Sequence, residues 1–274
     1  MMIKIESIQR TSPAKEECED ALTMNKGAGV YAVFDGATPL VPFRDSDDHN
    51  GAYLASNTFK RHFDQMEEGD SLKGVIKEAN RDLRQQMISA NIDLSKGYER
   101  WTTCVAAVKI EDSHFEYAHL GDCMIIFEDK DGEKVILTED TVEGISERAR
   151  KKRDDDRKRG VPVPEESYFK DRIEALKYNR TLANMEGGYT VADGMPAAID
   201  ALQAGNVSME KVREILILSD GLFHPDWSLD RVFNEIQQSG LNDYVEQLTE
   251  LLGEQNAHID DRTAIRIQWG ALDR

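Results

Sequence analysis

Residues 2 to 10, "MIKIESIQR", alternate apolar and polar side chains, the two-residue period of a strand with one wet face and an edge position. A loop, "TSPAKEECED", follows, and then "GVYAVFDG" reads as a second, more buried strand that stops at Asp35 and Gly36. After "DSDDHN" the period changes. Ala52, Ala55, Phe59, Phe63 and Met66 recur three and four apart, predicting an amphipathic helix with Asn50 as its cap. Ser71 precedes another, with Leu72, Ile76, Ala79, Leu83 and Met87 on one face. Two strands thus precede two helices.

From residue 101 the short runs "WTTCVAAVKI", "SHFEYAHLGD", "CMIIFED" and "KVILTED" are separated by turn residues and predict an antiparallel meander. Residues 141–187 are charged and lack a strand period, which predicts an excursion between sheet elements that begins helically. "GGYTVADGMP" suggests a brief strand and a turn before a helix near 195–204. "EILILSDGLF" is an apolar run of strand length that again ends on Asp-Gly. Helices at 228–239 and 242–253, stopped by Gly240 and Gly253, lead to a last strand in which Thr263, Ile265, Ile267 and Trp269 alternate. With no repeat and no linker, residues 1–274 are expected to form one domain of the α+β class.

Composition narrows the function. The 274 residues are 40% apolar, enough for a core, and carry a formal net charge of -18, which argues against a general nucleic-acid role. The surplus of carboxylates suits hard divalent cations. Cys18, Cys104 and Cys123 are odd in number and not at metal-finger spacing, which fits a reducing compartment. No leader pattern or membrane-length apolar run is evident, so the expectation is a cytoplasmic protein that engages no membrane.

Four aspartates stand at comparable strand edges: Asp35 and Asp220 after apolar strands, Asp122 in "HLGDC", and Asp260 before the last strand. Any one could begin a solvated turn. As a set they would carry a prohibitive desolvation cost without partners, and a pair of magnesium or manganese ions is an economical solution.

The order of these pieces resembles the metal-dependent type 2C Ser/Thr protein phosphatases. "KEECEDAL" is similar to that family's basic-residue and Asn-Glu-Asp motif, "VFDGA" to its Asp-Gly motif and "WTTCVAAV" to its Gly-Thr-Thr strand. "AHLGDCMIIF", "LTED", "LILSDGLF" and "DDRTAIRI" follow in the family's order. The resemblance implies a four-layer α-β-β-α sandwich of two antiparallel sheets flanked by helices. It also implies hydrolysis of phosphoserine or phosphothreonine on a phosphorylated protein substrate by water activated between two Mn2+ or Mg2+ ions. Asp35 would bridge the ions, the Gly36 carbonyl and Glu19 would hold one, and Asp220 and Asp260 the other. Asp122 would ligate a third, weaker ion, and Lys15 stands where the family grips phosphate with Arg. Residues 141–187 fall where family members carry a flap.

Departures from the pattern bear on activity. The Asp-Gly motif continues as "DGATPL", so Ala37 cannot protonate a leaving group and Pro39 stiffens the turn. His49 could supply a proton, or be a solvated loop residue. Lys15 lacks the guanidinium fork. Cys18 replaces Asn and reads as a packed residue or an oxidation-sensitive thiol. Asp193, in a third Asp-Gly, reads as a turn. The run Lys151 to Arg159 is expected to be a charge-laced helix, or a dock for an acidic substrate. Ala37 also weighs against a haloacid-dehalogenase mechanism, which needs a second Asp two positions after the first. A phosphatase-fold module that binds a phosphorylated partner with little turnover remains the alternative.

Overall fold

In the computed structural model, residues 2–270 are described. One sheet contains β1 (Met2–Arg10), β10 (Arg262–Gly270), β9 (Val212–Leu218), β6 (Met124–Asp129) and β7 (Lys134–Ile136), in that order. The other contains β2 (Ala21–Asn25), β3 (Val30–Gly36), β4 (Thr103–Ile110), β5 (His114–Leu120) and β8 (Gln203–Ser208). Every pairing is antiparallel. Helices α1 (Gly51–Asp64) and α2 (Leu72–Ser89) cover the second sheet, and α6 (Leu229–Ser239) and α7 (Leu241–Glu254) cover the first. The result is the four-layer α+β sandwich the sequence implies.

The central strands are apolar throughout because both of their faces are covered. In β3, Val30, Ala32 and Phe34 pack on Phe59 and Phe63 of α1, while Tyr31 and Val33 face Ile217 and Ile265 between the sheets. In β9, Ile215 and Ile217 fill the same inter-sheet layer, and Leu216 and Leu218 meet Val232, Phe233 and Leu248 of α6 and α7. The Asn50 cap holds as expected, its side chain accepting from the Ala52 and Tyr53 N–H groups, and Ser71 also caps α2, its side chain accepting from the Gly74 N–H.

The meander differs from expectation. β4 and β5 lie in one sheet and β6 and β7 in the other, so the chain crosses the sandwich at Gly121-Asp122. Gly121 makes the crossing with a φ of 98°, a value costly for any side-chain-bearing residue. Two edge strands also escape the sequence pattern. β2 leaves Met24 in water, and β8 has no fully buried residue, so pairing with β3 and β5 rather than burial defines them. Three strands therefore precede α1. The helix expected near 195–204 is one turn, α5 (Ala197–Asp200), and α7 runs through Gly253, since glycine in a helix costs only about 1 kcal/mol.

Between β7 and β8 lie α3 (Ile145–Lys158) and α4 (Arg172–Arg180). They are joined through Arg153, which forks onto Glu166 at 2.8 and 3.0 Å and stacks between Phe169 and Tyr178. Other charges of α3 pair along the helix, Lys152 with Asp156 at 3.0 Å, Arg157 with Asp154 at 3.0 Å and Lys158 with Asp155 at 3.2 Å. Among the described residues no helix is long and apolar enough to cross a membrane.

Candidate metal centre

Strand register brings the four aspartates to one end of the sandwich. Leu218 of β9 pairs with both Met124 of β6 and Ala264 of β10, so Asp220, just beyond it, lies at the same edge as Asp122 and the start of β10. Asp35 is the last residue but one of β3, opposite Cys104, and the Thr103 hydroxyl donates to the Asp35 carbonyl at 2.9 Å. Gly36 lets this strand end press against two other backbones: a Cβ there would overlap the Glu19 carbonyl oxygen and stand 2.6 Å from that of Ala52. The Asp-Gly pair is thus a packing device that holds Asp35 between the Glu19 segment and the start of α1.

Asp35, Asp122, Asp220 and Asp20 form the inner group. Ligand atoms of Asp35, Asp122 and Cys123 lie within 4.8 Å of one another, and Asp35 shares a hydrogen bond with Asp220. Burial, and then the charges of Asp20, Asp220 and Asp122, raise the Asp35 pKa well above the usual carboxylate range. Burial and the Asp220 charge push Asp122 up to about 7. Burial also raises Asp220, with the hydrogen bond from Asp35 acting the other way. Asp20 is raised too, chiefly by burial, although the Ser219 hydroxyl donates to it at 2.9 Å.

A second group surrounds Lys15. Its Nζ lies 2.8 Å from Glu19 Oε2, 2.8 Å from Asp260 Oδ1 and 3.0 Å from Asp261 Oδ2. Burial alone would pull the ammonium pKa down, but the hydrogen bonds to Asp260 and Glu19 outweigh it and raise it. Burial likewise pushes Asp260 up, and Lys15 more than reverses this, leaving its carboxyl below the ordinary range. Glu19 also accepts from Thr38 Oγ1 at 2.7 Å and Asn50 Nδ2 at 2.6 Å. Asp261 accepts the Ser12 and Glu19 N–H groups at 2.7 and 2.8 Å.

The structure therefore brings all seven expected positions to one region, divided into a cation-free inner group and a lysine-neutralised outer one. Asp20, Asp261, Ser219, Thr38 and Asn50 are the additions. Asp20 and Asp261 each directly follow an expected residue, and that adjacency was the available signal. Asp193 does not join the cluster: its carboxylate pairs with Arg100 at 2.9 Å and accepts the Met195 N–H. Cys18 sits half-buried, with its thiol pushed up to about 11 by burial and by Asp20 and Asp261, which favours the packed reading.

The inner group suits divalent cations. Among the described residues no ion pair reaches Asp20, Asp35, Asp122 or Asp220, and Asp122 Oδ1 is buried without a hydrogen-bond partner. Hard oxygen donors from separate strands, short of positive charge, match magnesium or manganese chemistry.

Known structures share the fold. A structure of the Mycobacterium tuberculosis serine/threonine phosphatase PstP is 18% identical, with 99% of this chain and 100% of that one covered at a TM-score of 0.62. The serine/threonine phosphatase Stp1 of Staphylococcus aureus is 15% identical, with 99% and 96% covered at 0.60. A PstP catalytic domain in complex with two manganese ions is 16% identical, with 97% of each chain covered at 0.57. At these identities the likeness shows the fold. No curated protein sequence matches the chain. The family profile described as Protein phosphatase 2C matches residues 11–262, nearly the whole length, and the chain belongs to that family.

Proposed function

We propose that the protein is a metal-dependent phosphatase of the cytoplasm that hydrolyses phosphoserine and phosphothreonine on proteins. The observation that carries this reading is the inner group of buried carboxylates with no neutralising side chain. Asp35 would bridge two Mn2+ or Mg2+ ions, the Gly36 carbonyl and Glu19 would hold one, and Asp220 and Asp260 the other, with Asp122 available to a third. Such ions, when bound, lower the pKa of water and neutralise phosphoryl oxygens.

The chain's own residues set the conditions. Burial and the neighbouring aspartates raise the Asp35 pKa, and ligation needs the carboxylate form, so acid should oppose metal loading. Lys15 has three donors and all three meet carboxylates, so it acts first to hold Glu19, Asp260 and Asp261 together. To meet a phosphoryl oxygen it exchanges one of these partners. We assign residues 1–274 to one such domain, with 141–187 as a flap beside the site. Supporting this, Arg180 of α4 donates to Thr102 Oγ1 at 2.5 Å and to the Thr38 carbonyl at 3.2 Å.

The full engagement of Lys15, together with the Ala37-Thr38-Pro39 turn, favours a second reading: a module that binds a phosphorylated partner with little turnover. Hydrolysis of a phosphothreonine peptide by metal-stripped protein, titrated with manganese or magnesium, separates the two. Activity that appears with metal and collapses in Asp220→Asn supports the enzyme. Metal and phosphopeptide binding without product supports the module.

A further inference from the structure

The turn after Asp35 carries no side chain able to give a proton to a departing alkoxide, since it reads Gly36, Ala37, Thr38, Pro39. A histidine is nonetheless built into the neighbouring rim. His49 Nδ1 lies 2.6 Å from Glu17 Oε2, and its ring stacks on Tyr53 with centroids 3.9 Å apart and planes 12° apart. Glu17 is itself fixed, accepting from Arg44 Nη1 at 2.9 Å and from the Asn50 N–H at 3.1 Å.

Asn50 links this pair to the metal centre. Its side-chain amide donates to Glu19 Oε1 at 2.6 Å, and two residues further on the Ala52 carbonyl lies against Gly36. One residue, Asn50, therefore ties together the carboxylate that orients His49, the carboxylate expected at the metals, and the cap of α1. A carboxylate on Nδ1 keeps a proton there, so Nε2 becomes the atom that gains and loses one. The ring is half-buried, leaving part of it exposed to solvent.

We infer that His49, oriented by Glu17, is the proton donor to the serine or threonine oxygen that leaves phosphorus. This rests on the phosphatase reading above. In the step, hydroxide derived from water forms the new P–O bond and stays on the phosphate. The old P–O bond breaks, its electron pair goes to the side-chain oxygen, and the Nε2 proton of the imidazolium moves there to give a neutral hydroxyl. The proton that the water lost restores the imidazolium.

The surroundings favour the charged form of the donor. The hydrogen bond to Glu17 raises the His49 pKa above its ordinary value, partial burial opposes it, and Asp45 and Asp47 of its own loop add to the rise. Arg44 is the one basic group in this set, and it is spent on Glu17. From α1 the ring meets Tyr53.

The test compares two substrates that differ in their need for a proton. A phosphothreonine peptide releases an alkoxide, whereas p-nitrophenyl phosphate releases a stabilised phenolate. His49→Gln should lower kcat on the peptide about 100-fold and on p-nitrophenyl phosphate by about threefold or less. The alkaline decline of the native peptide rate should vanish in that variant. Glu17→Gln should move the decline, and the NMR titration of the His49 ring, to lower pH together. Equal losses on both substrates, or an unchanged peptide rate, would overturn the assignment. Native protein inert towards both substrates with manganese would instead overturn the phosphatase reading, and this assignment with it.

Discussion

Lys15 Nζ and Asp260 Oδ1 stand 2.8 Å apart, joining the first loop of the chain to the segment that leads into its last strand. The same ammonium holds Glu19 and Asp261, so three carboxylates converge on one mostly buried charge. Removing it leaves them facing one another. Lys15→Gln should destabilise the metal-free protein by about 3 kcal/mol, with part of the loss recovered on adding manganese. Urea unfolding in chelator and in manganese measures both effects.

Gly36 makes a different demand, because its neighbours are backbone atoms that cannot rotate away. A methyl group there overlaps the Glu19 carbonyl and crowds that of Ala52. Gly36→Ala should cost about 3 kcal/mol and displace Asp35, lowering manganese affinity as well. Thermal unfolding gives the first quantity and calorimetric titration the second.

The inner carboxylates set the pH dependence of the metal-free protein. Asp122 titrates at about 7 when folded, against an unfolded value of about 4, and Asp35 and Asp20 are raised as well. Between those limits the folded state binds more protons than the unfolded one, so stability falls as pH rises from about 4 to 7. Asp260 and Asp82, whose pKa values are lowered, act oppositely, at and below the ordinary carboxylate range. Melts in chelator across that range should show the decline, and Asp122→Asn should flatten it. Saturating manganese should reverse the slope, since cations bind the deprotonated acids.

Arg153 secures the connection between α3 and α4 by its plane as much as by its charge. It forks onto Glu166 and lies 4.1 Å from the Phe169 ring centroid and 5.0 Å from that of Tyr178. Arg153→Lys keeps the charge and loses the fork and the stacking, so it should loosen residues 145–180 nearly as much as Arg153→Ala. Hydrogen exchange should speed by about tenfold there and stay unchanged in β3 and β9.

Much of this was legible in the chain itself. The two-residue period of "MIKIESIQR", the three-and-four spacing of Ala52 to Met66 and the continuous apolar runs of β3 and β9 all record which side chains leave water. That is a local property, and local pattern carries it. The position of the aspartates at strand edges belongs to the same record, whereas Lys15 and Glu19 are singled out by the order of motifs that resembles the type 2C phosphatases, and the roles of all of them at the metals are proposals.

Partnership was decided elsewhere. That β5 and β6 part company at Gly121 depends on which neighbours each strand can pair with, and nothing in "HLGDCMIIF" states it. β2 and β8 are strands because β3 and β5 offer them hydrogen bonds; β2 buries Ala21 and Thr23, and β8 has no fully buried residue. The separation of the acids into an inner group without a cation and a lysine-bound outer group needed coordinates, since Lys15 and Asp260 lie at opposite ends of the chain. So did the pairing of His49 with Glu17, which reads in sequence as one loop histidine among several acids. Periodicity reports whether a side chain is buried, while its charge state and its chemistry depend on what stands within about 3 Å of it, and only the folded chain sets that distance.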